Sequence, residues 1–251
     1  MAEKRRSPSE DEAPPPKKVR SEDEFPIVNK GTEIGTVKKL NNTEQEYQDL
    51  ARKLDIDSKS LLTLTDCWKV TNSYTEADFL SKLDEFKDRD IPTEIKQLYH
   101  NPNKPSIDFL LNSTDIVQNG LDQRLCKSGM FGRAIYFSDS VLKVNLYTKA
   151  NSGLILLCDV LIGNCKKYDM GASQQSLLRE PTSNPGEPCW TSVQGNITGH
   201  DEYAIYNNDQ VIIRYIIGFT SKPETIHETM VEALINKTKH RNPDKAITSE
   251  D

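Results

Sequence analysis

Residues 129–147 read Gly-Met-Phe-Gly-Arg-Ala-Ile-Tyr-Phe-Ser-Asp-Ser-Val-Leu-Lys-Val-Asn-Leu-Tyr, and no other stretch limits the fold as much. Gly129 and Gly132 mark a turn. Ala134-Ile135-Tyr136-Phe137, apolar and aromatic between turn residues, reads as a short buried strand. Ser138-Asp139-Ser140 supplies N-cap chemistry, so a short helix starts there and runs to about residue 147. Turn, strand, cap and helix in this order bring Tyr136 and Tyr147 to one side of a cleft. By spacing alone, the same two residues also suit an aromatic core.

The rest of the chain gives that stretch a sheet to belong to. A helix is expected over 43–54, from the capping box Thr43-Glu44-Gln45-Glu46 and the spacing of Tyr47, Leu50, Ala51 and Leu54. A strand over 61–70 places Leu62, Leu64, Trp68 and Val70 on one face. Thr75 to Asp78 cap a second helix with Phe79, Leu80, Leu83 and Phe86 on its inner stripe. A strand over 95–100 ends in the turn Asn101-Pro102-Asn103-Lys104-Pro105, and Ser106 caps a short helix. Residues 122–128 form a polar loop, 153–163 a buried strand and 166–188 mostly loop. Three more strands follow over 190–193, 202–206 and 211–217, with Asn207-Asn208-Asp209 as the turn between the last two. Short strands, turn signals and few long helices define an α+β class with a mainly antiparallel sheet core. A final helix is expected over 221–240.

Residues 1–30 read as a disordered tail, with Pro14-Pro15-Pro16, many Ser and Glu and almost no apolar side chains. Lys4-Arg5-Arg6 and Lys17-Lys18-Val19-Arg20 flank a spacer in it. That is a bipartite signal for a nuclear import receptor, so the expected location is the nucleus. Phosphate on Ser7, before Pro8, would weaken the adjoining cluster. The chain of 251 residues carries a net charge of −6, which makes no general case for nucleic-acid binding. No apolar run nears the roughly 18 residues of a membrane span, and nothing resembles a secretory leader. Cys67, Cys126, Cys158, Cys165 and Cys189 are odd in number and lack C-x-x-C spacing. They read as free thiols in a reducing compartment, and no metal site is expected.

In four blocks the chain resembles the catalytic domain of the poly(ADP-ribose) polymerase family. Tyr99-His100 stands where the family has His-Gly-Ser or His-Gly-Thr. Residues 130–139 are similar to its glycine–lysine–glycine–Ile-Tyr-Phe-Ala-Asp segment, with Lys143 and Tyr147 in register. Residues 154–163 look like the strand that follows. His200-Asp201-Glu202-Tyr203-Ala204-Ile205-Tyr206 looks like its Glu-Tyr-x-x-Tyr strand. The likeness runs over 43–217.

The resemblance implies the ADP-ribosyltransferase fold and an enzyme that uses NAD as substrate and modifies acceptor proteins, which can include itself. It implies that His100 holds the adenine-side ribose and that Tyr136 and Tyr147 sandwich the nicotinamide. Glu202 then contacts the nicotinamide ribose and assists the acceptor, which makes Glu202, His100 and Tyr136 the catalytic set. Asn101, Val144 and Lys143 join the NAD-binding set; Lys143 is expected on the helix surface, within reach of Glu202. The chain departs from the family pattern at Asn101-Pro102, at Val144 where the family has serine, at Ala134 where it has glycine, and in the shorter loop 122–128. The segment before residue 43 is too short for the family's helical regulatory domain, so gating by DNA breaks and direct DNA binding are not implied. The alternative is a catalytically weakened domain serving as a nuclear binding module.

Overall fold

A computed structural model describes residues 23–148, 151–169, 172–196 and 200–222. The basic clusters of the tail and the expected helix over 221–240 lie outside these, apart from the helix's first two residues; Ser221 ends the last strand and Lys222 follows it. Lys30 and Gly31, at φ 48° and 82°, form the tight reversal that hairpin twist favours. They join β1 (Glu24–Asn29) to β2 (Thr32–Lys39). The expected tail therefore ends before residue 24. Pro26 is accommodated in β1 because this is an edge strand of the sheet, where a missing N–H need not break a ladder on both sides.

The first helix, α1 (Gln45–Asp57), starts after Glu44 with no side-chain cap bond. The expected capping box is not formed; the Glu44 carboxylate instead takes the N–H of Asn41 at 2.9 Å. Next, β3 (Leu62–Asn72) carries a bulge, since Gly218 pairs with Asp66 but Phe219 with Leu64. The extra residue reverses the alternation. Leu62 and Leu64 thus pack on one face of the sheet, and Trp68 and Val70 on the other. The helix α2 (Ser73–Asp88) is capped one turn earlier than expected, by the Asn72 side chain, which accepts from the Tyr74 and Thr75 N–H groups. Its buried stripe is Phe79 and Phe86 with Leu83 beside them, while Leu80 is exposed.

The chain continues through β4 (Ile95–His100), α3 (Ile107–Asn112), α4 (Ile116–Asn119) and a 3₁₀ turn over Gln123–Leu125. A two-residue ladder, β5 (Ser128–Gly129) with β6 (Gly132–Arg133), makes the glycine turn. Then come β7 (Ile135–Ser138), α5 (Val141–Asn145) and β8 (Ser152–Leu161). The strand β9 (Cys165–Tyr168) occupies part of the segment expected to be loop. The last strands are β10 (Ser192–Asn196), β11 (Asp201–Ile205) and β12 (Val211–Ser221).

Ten strands form one sheet in the order β1-β2-β3-β12-β8-β4-β7-β11-β10-β9. Every pair is antiparallel except β9 with β10. The strands β11 and β12, expected on either side of a turn, are not neighbours: β12 lies between β3 and β8, and β11 between β7 and β10. The two halves meet at a single pair, Tyr99 with Ser138. Both faces are covered, with Leu154, Leu156, Cys158 and Val160 of β8 in one cluster and Ile155 and Leu157 in the other. That explains its unbroken apolar run, and each such Leu or Ile contributes about 1.5–3 kcal/mol on burial. Asp159, the one charge in the run, is paired with Arg214 at 2.7 Å.

Candidate active site

The site sits where the two halves of the sheet meet. The β7–β11 register sets Ser138 opposite Glu202 and Tyr136 opposite Ala204. Ser138 Oγ donates to the Asp201 carbonyl at 2.6 Å and accepts the Ser140 N–H at 3.1 Å. One hydroxyl thus ties the end of β7 to the start of β11 and to the cap of α5. At that cap Ser140 Oγ accepts the Lys143 N–H at 3.3 Å.

The glycine turn clamps Tyr136. Its hydroxyl donates to the Gly132 carbonyl at 2.7 Å and accepts the Phe131 N–H at 2.9 Å. A Cβ at Gly129 would lie 2.6 Å from Cζ of that ring. Gly132, at φ 76°, would place one 1.8 Å from the Leu177 carbonyl oxygen. Both glycines are required for the clamp to close. Burial pushes the Tyr136 hydroxyl up to about 12, so it stays protonated and serves as a fixed hydrogen-bonding group.

His100 ends β4 with Nδ1 2.8 Å from the Tyr136 carbonyl oxygen. A carbonyl only accepts, so Nδ1 carries the proton and Nε2 is left as an acceptor. Burial lowers its pKa, and the Tyr136 carbonyl offsets this only in part. The ring is therefore neutral at pH 7, tilted against Phe137 with centroids 5.4 Å apart.

Lys143 and Tyr147 are four residues apart and project from the same side of the α5 turn. Lys143 Nζ is 2.8 Å from Glu202 Oε1, with both side chains under a tenth exposed. The expectation of a surface lysine is corrected: the short helix lies buried between sheet and α1, so its charge points inward to the carboxylate. The Tyr147 hydroxyl makes a long contact, 3.5 Å, to the same Oε1. The Lys143 ammonium also sits 5.5 Å from the Tyr147 ring centroid. Tyr147 is 56% exposed, so its hydroxyl reaches inward while much of the ring stays open.

The Val144 side chain is buried in the apolar cluster with Tyr99, Val141 and Leu157. Its carbonyl accepts from Asn101 Nδ2 at 3.3 Å, and the same Nδ2 donates to Thr148 Oγ1 at 3.0 Å. Asn101 Oδ1 accepts the Asn103 N–H at 2.6 Å. The positive φ in this turn, 52°, falls at Asn103 and not at Asn101.

The residues singled out by sequence thus form two linked groups. Lys143, Glu202 and Tyr147 meet directly; His100 and Tyr136 are joined through a backbone carbonyl. Ser138 and Thr148 were not foreseen as site residues, and only a hydroxyl at a strand end and one after a helix end signalled them. The cluster offers a fixed negative charge, a stacking face and a hydroxyl acceptor.

A family model described as the poly(ADP-ribose) polymerase catalytic domain matches residues 44–221. Human protein mono-ADP-ribosyltransferase PARP4 is 25% identical over 210 residues, covering 76% of this chain and 11% of that protein. Poly [ADP-ribose] polymerase 2 of Arabidopsis thaliana is 28% identical over 116 residues, 35% of this chain and 18% of that protein. Mouse protein mono-ADP-ribosyltransferase PARP4 is 33% identical over 107 residues, 40% of this chain and 5% of that protein. The chain thus spans only a small part of the length of these relatives. The family match begins at the residue that precedes α1 and ends with β12, taking in every site residue described above. The chain belongs to the poly(ADP-ribose) polymerase catalytic domain family.

Proposed function

We propose that the chain is a nuclear ADP-ribosyltransferase that cleaves NAD, releases nicotinamide and transfers ADP-ribose to protein side chains. The observation that carries this reading is the buried Glu202 carboxylate, held by Lys143 at 2.8 Å. Bound NAD supplies a glycosidic bond whose cleavage builds positive charge on a ribose. Glu202 places a fixed negative charge for that cation in a dry setting, and orients or deprotonates the acceptor. His100, neutral with Nε2 free to accept, suits a ribose hydroxyl. The open face of Tyr147 suits a flat ring.

One observation favours the second reading, a binding module with little turnover. Val144 lies in an apolar cluster and has no hydroxyl to offer a nicotinamide amide. One missing hydrogen bond costs ~0.5–1.5 kcal/mol, about 2- to 12-fold in affinity. Losing a catalytic acid–base group costs about 10²–10⁴ in rate. Glu202 is present, so the larger effect favours activity.

The test is radiolabelled NAD on purified protein, reading label on protein together with NAD affinity by titration calorimetry. Glu202→Gln is expected to bind NAD but transfer at under about a hundredth of the parent rate. Gln leaves the Lys143 ammonium buried without its counter-charge, a change that costs about 3–5 kcal/mol. The double variant Glu202→Gln, Lys143→Gln controls for unfolding. Undiminished transfer by Glu202→Gln overturns the role of the carboxylate. NAD binding without transfer in the parent supports the second reading.

A further inference from the structure

Asn101 stands where the family pattern has glycine, and its carboxamide reaches across to the last turn of α5. That helix has five residues, too few to hold itself together. Its end slackens into shorter-range bonds. The Tyr147 N–H goes to the Val144 carbonyl at 3.3 Å, and the Leu146 N–H is shared between the Leu142 and Lys143 carbonyls. Asn101 Nδ2 bonds the same Val144 carbonyl and Thr148 Oγ1, the residues on either side of the stretch Asn145-Leu146-Tyr147. Asn101 Oδ1 is meanwhile fixed by the Asn103 N–H at 2.6 Å, so the donor is held in place. Tyr147 itself is 56% exposed, and its side chain is tethered only loosely, by the Lys143 ammonium 5.5 Å from the ring centroid and by the long contact from its hydroxyl to Glu202. The backbone turn that Asn101 grips therefore adds a constraint that the side-chain contacts do not supply.

We propose that Asn101 is a positioning residue, whose carboxamide fixes the end of α5 so that Tyr147 stands over Glu202. The role rests on the reading of Glu202 as the catalytic carboxylate. It also gives the departure at Asn101 a purpose: the side chain that replaces glycine braces the partner wall of the site. Because Asn101 follows His100 in the chain, the brace also links the β4 half of the sheet to the helix that serves Glu202.

Asn101→Asp tests this, because it keeps the oxygen that accepts from Asn103 but has no N–H for Val144 or Thr148. Asn101→Ala removes the same N–H donors without adding charge, and the bond from Asn103 with them. The full chain is labelled with 3-fluorotyrosine at its nine tyrosines, and the Tyr147 ¹⁹F signal is identified by its absence in Tyr147→Phe. Both Asn101 variants are expected to shift and broaden that signal, leave the far-UV spectrum unchanged and lower kcat/KM for NAD about tenfold. In a Tyr147→Ala background the same Asn101 changes are expected to alter kcat/KM by less than about twofold, because the path through Tyr147 is already gone. An unmoved Tyr147 signal, or losses that simply add, overturns the role. If the parent consumes no NAD, the proposed function fails, and the ¹⁹F signal still decides whether Asn101 positions Tyr147.

Discussion

Lys143 shows what a single residue can hide. A lysine in a short capped helix reads as a solvated charge, and the pattern around it, Val-Leu-Lys-Val, does not say which side is open. Burial is decided by where the helix is put, and here α5 lies against the sheet with Glu202 beneath it. His100 was singled out by the family resemblance and not by its own surroundings, although its place at the end of the strand over 95–100 was legible. Its chemistry leads to a pH effect. The native pKa lies below its ordinary value of 6.5, so the unfolded chain takes up a proton there first as pH falls. The stability from neutral His100 is complete above about 6.5 and is lost as pH falls through the native pKa. Urea midpoints measured from pH 7.5 to 5 are expected to fall, and to fall less in His100→Gln. NAD affinity should hold through the first part of that fall and decline only as pH drops through the native pKa, because a protonated Nε2 no longer accepts.

At the scale of elements, the glycine turn with β7 and α5 was the most legible unit, since its turn residues, apolar run and cap agree with one another. Elements whose identity depends on distant partners were less so. The strand β9 has only Cys-Lys-Lys-Tyr to declare itself and is a strand because β10 lies beside it. The bulge in β3 is set by the mismatch with β12, which no local pattern in Leu-Thr-Leu-Thr-Asp reveals. The turn itself carries a prediction. Gly132→Ala forces a Cβ against the Leu177 carbonyl at a positive φ, and destabilisation of about 2 kcal/mol or more is expected. Gly31→Ala, also at positive φ but with nothing within 4 Å, should cost only about 1–2 kcal/mol. Denaturant midpoints of the two variants check the difference, and the Tyr136 clamp should loosen only in the first.

At the scale of the molecule, the sheet's class was readable and its strand order was not, because order depends on pairings across the whole chain. The two edges are guarded, by Pro26 in β1 and by Lys166 and Lys167 in β9. No helix among the described residues is long and apolar enough to cross a membrane. The paired basic clusters remain a proposal for nuclear import. Replacing Lys17, Lys18 and Arg20 with alanine in a fluorescent fusion too large to diffuse through the pore is expected to move it to the cytoplasm. A fusion that stays nuclear removes the import role from that tail.

The place of β12 has a consequence for how the protein is made. It is the last of the ten strands in the chain, yet it lies between β3 and β8. A ribosome that has released everything up to β11 has therefore released a sheet with its middle missing. The faces of β3 and β8 that β12 will pair with stay open until residues 211–221 emerge, and bond closure across so long a separation is slow. The nascent chain is thus at its most adhesive just before Ser221 leaves the ribosome, and that interval is when a chaperone has most to cover.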